Sequence, residues 1–376
     1  MSVATHPAVI APGIKQPLKI EQITTPNVQP SEVRIRVEWV PSAPLDVFQV
    51  DAGLMASFPQ SLGDTAAGTV TAIGSQVDHL NVGDKAFGFF FHNEKEKAQQ
   101  IYATVPKHLL GKVPEGVSLK EAATLPNNFC TAFITLRRNL GIDLPWPHEE
   151  EFVPSEQHAP ILVWGASTSV GQYAVQILKH WGYSNVLATA SPRHHDKIKR
   201  YGARQMFDYQ DSTVVESIKQ FLEAEDGQSQ IRVFDCVDSK FGSLRPISKI
   251  AVQPGSVVAA LLPVVINAPS VNQSDPSIEL AFDVSTAADW AHGVEVHSIA
   301  SYGYEEDAFL RDHLQRDIMP TLLGTGAIEP NSQRVVEGRT LLERATKALG
   351  IMRSGTVSGE RLVWRVWTPE EFPEFQ

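Results

Sequence analysis

Seven small residues, Gly165-Ala166-Ser167-Thr168-Ser169-Val170-Gly171, sit between an apolar run, Ile161-Leu162-Val163-Trp164, and a helical pattern of apolar positions at Val170, Ala174, Ile177, Leu178 and Trp181. A small-residue turn from strand to helix lets backbone N–H groups approach a phosphate at the positive end of a helix dipole. These residues could therefore hold a dinucleotide pyrophosphate. With Gly171 as the third glycine of the G-x-G-x-x-G pattern, the first two positions hold Ala166 and Thr168, and an ordinary tight turn is the alternative reading. Small residues throughout keep close approach open, and the hydroxyls of Ser167, Thr168 and Ser169 add donors.

Beyond the next apolar run, Val186-Leu187-Ala188, the chain reads Thr189-Ala190-Ser191-Pro192-Arg193-His194-His195. An NAD-selective fold places an Asp or Glu here on the ribose 2′-hydroxyl, and that carboxylate would repel a 2′-phosphate. A hydroxyl at Ser191 and a guanidinium at Arg193 would bind one, so the expected cofactor is NADPH. Lys197, Lys199 and Arg200 follow, and at least two of them read as a solvated helix face. Tyr209 either closes over the adenosine end or packs in the core. Cys236 and Val237, which follow Ile231-Arg232-Val233-Phe234-Asp235, and Leu261, in the run Ser256–Leu262, are strand-end positions expected at the cofactor.

These groups need a scaffold. Buried-type strands alternating with helices from Pro160 onward argue for a doubly wound parallel α/β sheet. Before about residue 125 the texture is different: Val33, Ile35, Val37 and Trp39 alternate with Arg34, Arg36 and Glu38, the period-2 pattern of a half-buried strand. Gly68–Ile73 and Ile101–Val105 read likewise, with turns at Gly74-Ser75 and Gly83-Asp84, which predicts an antiparallel β unit. Leu144–Ala159, rich in Pro and acid, reads as a surface loop; Phe309–Leu323 and Leu341–Arg353 read as helices and Arg361–Trp367 as a terminal strand.

Composition narrows the function. The 376 residues carry 43 acidic and 32 basic groups, a net charge of −11, which argues against nucleic acid or an anionic membrane as partner. Two cysteines cannot build a disulfide framework or a cysteine-rich zinc site, and they point to a reducing, cytoplasmic setting. The first residues lack the basic start and apolar core of a secretory signal, and no window approaches a membrane span.

The order of parts carries a resemblance. Leu62-Gly63-Asp64-Thr65-Ala66-Ala67-Gly68-Thr69-Val70, then Ala123-Thr124-Leu125-Pro126 and Cys130-Thr131-Ala132, then the turn at Gly165, resemble the medium-chain dehydrogenase/reductase superfamily along essentially the whole chain. The Pro-rich loop before Ile161, the Ala190-Ser191-Pro192 turn and the tail from Ser354 to Val363 look like the fungal trans-acting enoyl reductases and their toxin-cluster relatives. The resemblance implies a GroES-like β-barrel domain over 1–129 and 301–376 and a Rossmann domain over 130–300, with substrate between them. It also implies α,β-unsaturated carbonyl substrates, free or carrier-tethered, with a polyketide synthase as possible partner.

Zinc-dependent members of the superfamily bind metal through an early Cys, a His-Glu pair after a glycine and a later Cys. Here those regions read Pro41-Ser42-Ala43-Pro44-Leu45-Asp46 and Gly63-Asp64-Thr65, so no metal is expected and conjugate reduction replaces alcohol oxidation. Some relatives place a Tyr donor after this segment, where Met55 stands. Thr131 matches a position near the nicotinamide and is the candidate for contacting the developing enolate, with Tyr302 and Tyr304 behind it and water as a proton source. Asp46 and Asp64 are each either a general acid or a turn or capping residue. Cys130 reads as a small buried residue. The alternatives to enoyl reduction are quinone reduction, a non-redox reaction, and a non-catalytic NADPH-binding role beside a synthase.

Overall fold

The computed structural model describes residues 4–226, 230–267 and 278–376. The segment Asn267–Ser277, which with two prolines and no periodicity reads from the sequence as irregular, lies, apart from Asn267, outside the described residues. The chain divides into two compact units. One holds 4–130 and 305–376, the other 131–226, 230–267 and 278–304.

The second unit is built on the buried-type strands. They are β1 (Ile161–Trp164), β2 (Val186–Thr189), β3 (Gln205–Phe207), β4 (Arg232–Asp235), β5 (Val257–Leu261) and β6 (Glu295–Ile299). Their order across the sheet is 3-2-1-4-5-6 and every pairing is parallel. Val163 of β1 lies opposite Ala188 of β2 and Phe234 of β4, so the sheet reverses direction of growth at β1. Ligands in open α/β sheets sit outside the carboxyl ends of the strands at such a reversal.

Helix α1 (Ser169–His180) follows β1, α2 (His195–Tyr201) follows β2 and α3 (Val214–Asp226) follows β3. The periodic positions Val170, Ala174, Ile177, Leu178 and Trp181 are all buried, which seats α1 on the sheet. On the sheet, Leu162, Trp164, Leu187, Val233 and Val258 form a core with Ile218 of α3 and with Ile247 and Ile250. The Pro-rich stretch 144–159 forms neither helix nor strand and is largely exposed; its Pro145 carbonyl accepts the Trp181 indole N–H at 3.1 Å.

In the first unit a seven-stranded sheet runs in the order Ser332–Val335, Glu360–Arg365, Glu32–Pro41, Thr65–Ile73, Lys85–Phe89, Leu110–Lys112, with Tyr102–Pro106 also paired to Glu32–Pro41. All its pairs are antiparallel except Ser332–Val335 on Glu360–Arg365. A three-stranded sheet, Lys19–Thr24, Thr5–Ala11 and Gln60–Ser61, completes it.

The strict alternation expected along Glu32–Pro41 breaks near its end. A register shift between Val37 and Trp39 puts two residues opposite one step of the partner strand, so Glu38 stays on the outer face, where Arg36, Thr69 and Lys85 cover it to 8% exposure, and Trp39 turns out to that face as well, under Arg365. The helix expected over Phe309–Leu323 is present as Ala308–His313, the π turn Leu314–Ile318 and Met319–Gly324. Leu341–Arg353 is a helix capped by the Thr340 hydroxyl.

Candidate active site

The turn after β1 has a backbone that few residues could take. Gly165 adopts φ +80°. Its N–H donates to Thr189 Oγ1 at 2.9 Å and the N–H of Ala166 donates to the Thr189 carbonyl at 2.8 Å, so the end of β2 fixes the turn and the Thr189 hydroxyl is used there. A Cβ on Gly171 would stand 2.5 Å from the Gly165 carbonyl oxygen and 2.7 Å from Ala166 Cα, closer than any side chain allows. This is the steric demand that the third glycine of the fingerprint meets.

Thr168 caps α1: Oγ1 accepts the Gly171 N–H at 3.0 Å. The same side chain also hydrogen-bonds the buried Cys236 thiol, which burial pushes well above its ordinary pKa. The Ser167 carbonyl accepts from Gln172 Nε2 at 2.9 Å. The first-turn N–H groups of Ser169 and Val170 have no carbonyl one turn back within the helix, which is what makes a helix N-terminus an anion site.

At the end of β2, Ser191 Oγ donates to the Tyr209 hydroxyl at 3.3 Å, bringing together two residues that are eighteen positions apart. Tyr209 is 42% exposed and therefore not a core residue. Arg193 is exposed, its Nε donating to His194 Nε2 at 3.3 Å. Burial, with Arg193 and Lys197 beside it, lowers the His194 pKa, in keeping with a neutral ring that accepts. Lys197 and Arg200 pack over the Tyr201 ring, the helix-face role expected for two of the three cations.

At the end of β4, Cys236 N–H donates to the Trp164 carbonyl at 3.0 Å, and Val237, 38% exposed, fills the space a Gly165 side chain would need. Asp235 is fully buried, accepting from Ser243 Oγ at 2.6 Å and from the Val237 N–H at 3.0 Å. Asp238 follows at φ +57°. Its Oδ1 is buried with no hydrogen-bond partner among the described residues, and burial and the neighbouring Asp235 drive its carboxyl pKa well up. Leu261 ends β5 half-buried. The residues from Ser167 to Gly171, Ser191, Tyr209, Cys236, Val237 and Leu261 thus all lie at carboxyl ends of the parallel strands. The cradle, the capped helix start and an orphaned buried oxygen fit a dinucleotide.

Thr131 lies in the helix Pro126–Ile134, nearly buried, with Oγ1 donating to Ser301 Oγ at 3.2 Å. Asp46 sits in the first turn of the helix Pro44–Ala52, where Oδ2 accepts the Ala43 N–H at 2.9 Å. Burial lifts its pKa to about 7, against that hydrogen bond and with a push from Asp64. Asp64 accepts from Asn127 Nδ2 at 2.7 Å and from Thr65 Oγ1 at 3.0 Å. Both aspartates therefore have structural partners in the first unit. Met55 is 63% exposed, Tyr304 is buried and Cys130 is a buried thiol whose pKa burial raises.

Two residues of interest were not marked as candidates from the sequence. Asp238 could have been suspected from the repeated acid in Asp235-Cys236-Val237-Asp238, but only its left-handed backbone shows where the second carboxyl goes. Nothing local to Ser301 signals its pairing with Thr131, 170 positions away.

Residues 29–134 match the alcohol dehydrogenase GroES-like domain. The chain is 36% identical over 225 residues, 57% of its length, to the trans-enoyl reductase tazE of Aspergillus terreus, covering 72% of that protein. It is 28% identical over 370 residues to the enoyl reductase component, lovC, of the lovastatin nonaketide synthase of Aspergillus terreus, covering 93% of this chain and 94% of that one. Among solved structures the CurK enoyl reductase superposes with a TM-score of 0.70 at 18% identity, over 96% of this chain and 99% of that one. The GroES-like unit and the 3-2-1-4-5-6 sheet define the class, a nicotinamide-dependent oxidoreductase. The chain belongs to the medium-chain dehydrogenase/reductase superfamily and, within it, to the trans-enoyl reductases.

Proposed function

We propose that the protein is a cytoplasmic, zinc-independent reductase that uses NADPH to saturate the activated C=C bond of an α,β-unsaturated carbonyl compound carried by, or released from, a polyketide synthase. Family membership supports the reaction. The observation that carries the cofactor assignment is the end of β2, where Ser191, Arg193 and Tyr209 offer two hydroxyls and a guanidinium and no carboxylate.

NADPH, when bound, supplies a hydride for the β-carbon of the substrate. The chain's own residues would do the rest. Ser169 and Val170 would present N–H groups to the pyrophosphate, with Gly165 and Gly171 keeping the backbone close. Arg193 and Ser191 would hold the 2′-phosphate, and Asp238 Oδ1 would accept a cofactor hydroxyl. Thr131 Oγ1 is the hydroxyl assigned to the carbonyl oxygen on which negative charge develops; its one proton would turn there from Ser301 Oγ, whose own hydroxyl would then donate to Thr131. The one proton the reaction needs, at the α-carbon, would come from water, because Asp46 is occupied as a helix cap. Asp64, where zinc-binding relatives need a histidine, is held by Asn127 and Thr65, which supports the zinc-independent reading.

The test is NADPH consumption followed at 340 nm against a panel of enoyl thioesters and enones, with naphthoquinones alongside. Turnover of the conjugated thioesters or enones is expected. Cofactor binding without such turnover, or turnover of quinones alone, contradicts the proposal.

A further inference from the structure

The chain leaves β4 through Ser239 and enters an eleven-residue helical stretch, 240–250, the π turn Lys240–Leu244 running into the helix Arg245–Ile250. Its inner face is fixed. Leu244 packs with Ala260, Val264 and Val284, and Ile247 and Ile250 join the core of the sheet. The outer face carries Lys240, Phe241, Arg245 and Lys249, with Phe241 52% exposed. Arg245 lies 4.5 Å from the centroid of the Phe241 ring and Lys240 lies 5.8 Å from it, so the half-exposed phenyl carries two cations close to its ring.

The charge here runs against that of the protein. Positions 239–250 contain three cations and no Asp or Glu, on a chain of net charge −11. An exposed aromatic ringed by cations is the composition of an interface centre and rim, and the complementary surface is acidic. The place matters as well. The stretch begins two residues after Asp238, at the carboxyl end of the sheet, the end at which cofactor and substrate must meet. At about 1.5 Å per residue it is roughly 16 Å long, the footprint of one helix of a small partner. A single phenyl gives too little apolar surface to seat the stretch in a bilayer.

We propose that the outer face of 240–250 is a docking surface for an acidic carrier domain that presents the unsaturated acyl group as a thioester. This rests on the enoyl-reductase reading and names the partner surface for it. Docking of this kind gives fast, salt-sensitive encounter more than tight binding.

The experiment compares one acyl group, but-2-enoyl, on two handles: an excised acidic acyl carrier domain of a polyketide synthase and the small thiol N-acetylcysteamine. The full chain is assayed as wild type, K240E, R245E, R245K and F241A. Fluorescence anisotropy of the labelled carrier domain measures binding separately. R245E and K240E are expected to lose about ten-fold in kcat/KM for the carrier substrate, with R245K near wild type and the small thioester unchanged within about two-fold. Carrier affinity should fall in parallel, and the wild-type carrier rate should drop with added salt. Unchanged carrier kinetics and affinity in both charge reversals would overturn the docking surface. So would an equal fall on both handles, or retention of the wild type on phosphatidylserine vesicles that R245E abolishes while leaving carrier affinity intact. If the wild type reduces neither thioester, the reaction assignment has failed, and the anisotropy still decides the docking.

Discussion

Asp46 and Thr168 show what a single residue type leaves open. Both could have been read as chemistry, and both turn out to cap helices, Asp46 through the Ala43 N–H and Thr168 through the Gly171 N–H. A short polar side chain at or just inside a helix start has a backbone partner within reach whatever else it does, so its sequence neighbourhood alone cannot separate the roles. Arg193 is the reverse case. It is exposed, and among the described residues its one hydrogen bond is to the adjacent His194 ring, leaving most of the guanidinium donors facing solvent. R193A should raise the Kd for NADPH about ten- to one-hundred-fold, the loss of charge-assisted hydrogen bonds to a dianion, and move that for NADH less than about three-fold. Calorimetric titration of both cofactors checks this, and an equal loss for the two would remove Arg193 from the 2′-phosphate site.

Among the elements, the strand–turn–helix around Gly165 was legible because its demands are local: a left-handed residue, a missing Cβ and an apolar strand on one side. The end of the strand Glu32–Pro41 was not, since one bulge between Val37 and Trp39 exchanges the two faces and leaves no mark in the apolar pattern. Long-range ties were equally silent. Glu305, at the end of the 3-10 segment Ser301–Glu306, accepts from His92 Nε2 at 2.5 Å and bonds His108, while His92 Nδ1 lies 3.0 Å from Glu96 Oε2.

Burial pushes Glu305 up, but the two histidines outweigh it and hold its pKa at about 2; Glu305 and Glu96 lift His92 to about 10. The stabilisation from Glu305 is present above the unfolded pKa near 4.5 and is lost as pH falls through about 2. That from His92 is complete below about 6.5 and is lost as pH rises through about 10. E305Q should therefore lower stability by about 1–2 kcal/mol between pH 5 and 6, allowing for partial exposure, and by less at pH 3 and at pH 10. Urea unfolding at the three pH values measures it, and a difference independent of pH would rule the ion cluster out as its source.

For the whole molecule, the net charge of −11 argued from the outset against polyanions, and its informative part is the local exceptions, Arg193 beyond the end of β2 and the basic outer face of 240–250. Fold and superfamily were legible because the order of motifs is preserved along the chain. The pairing of Thr131 with Ser301 and the placement of Asp238 depend on the folded backbone and were not. Among the described residues no helix is long and apolar enough to cross a membrane. The central claim is hydride delivery to a conjugated carbon, and isotope transfer tests it most directly. But-2-enoyl thioester is incubated with NADPH carrying deuterium at C4, as each stereoisomer in turn, and the product is analysed by mass spectrometry and NMR. The account predicts a saturated acyl chain with one deuterium at the β-carbon from one stereoisomer only, and with solvent deuterium at the α-carbon when D2O replaces water. A product of unchanged mass, or a saturated product without cofactor-derived deuterium, would contradict it.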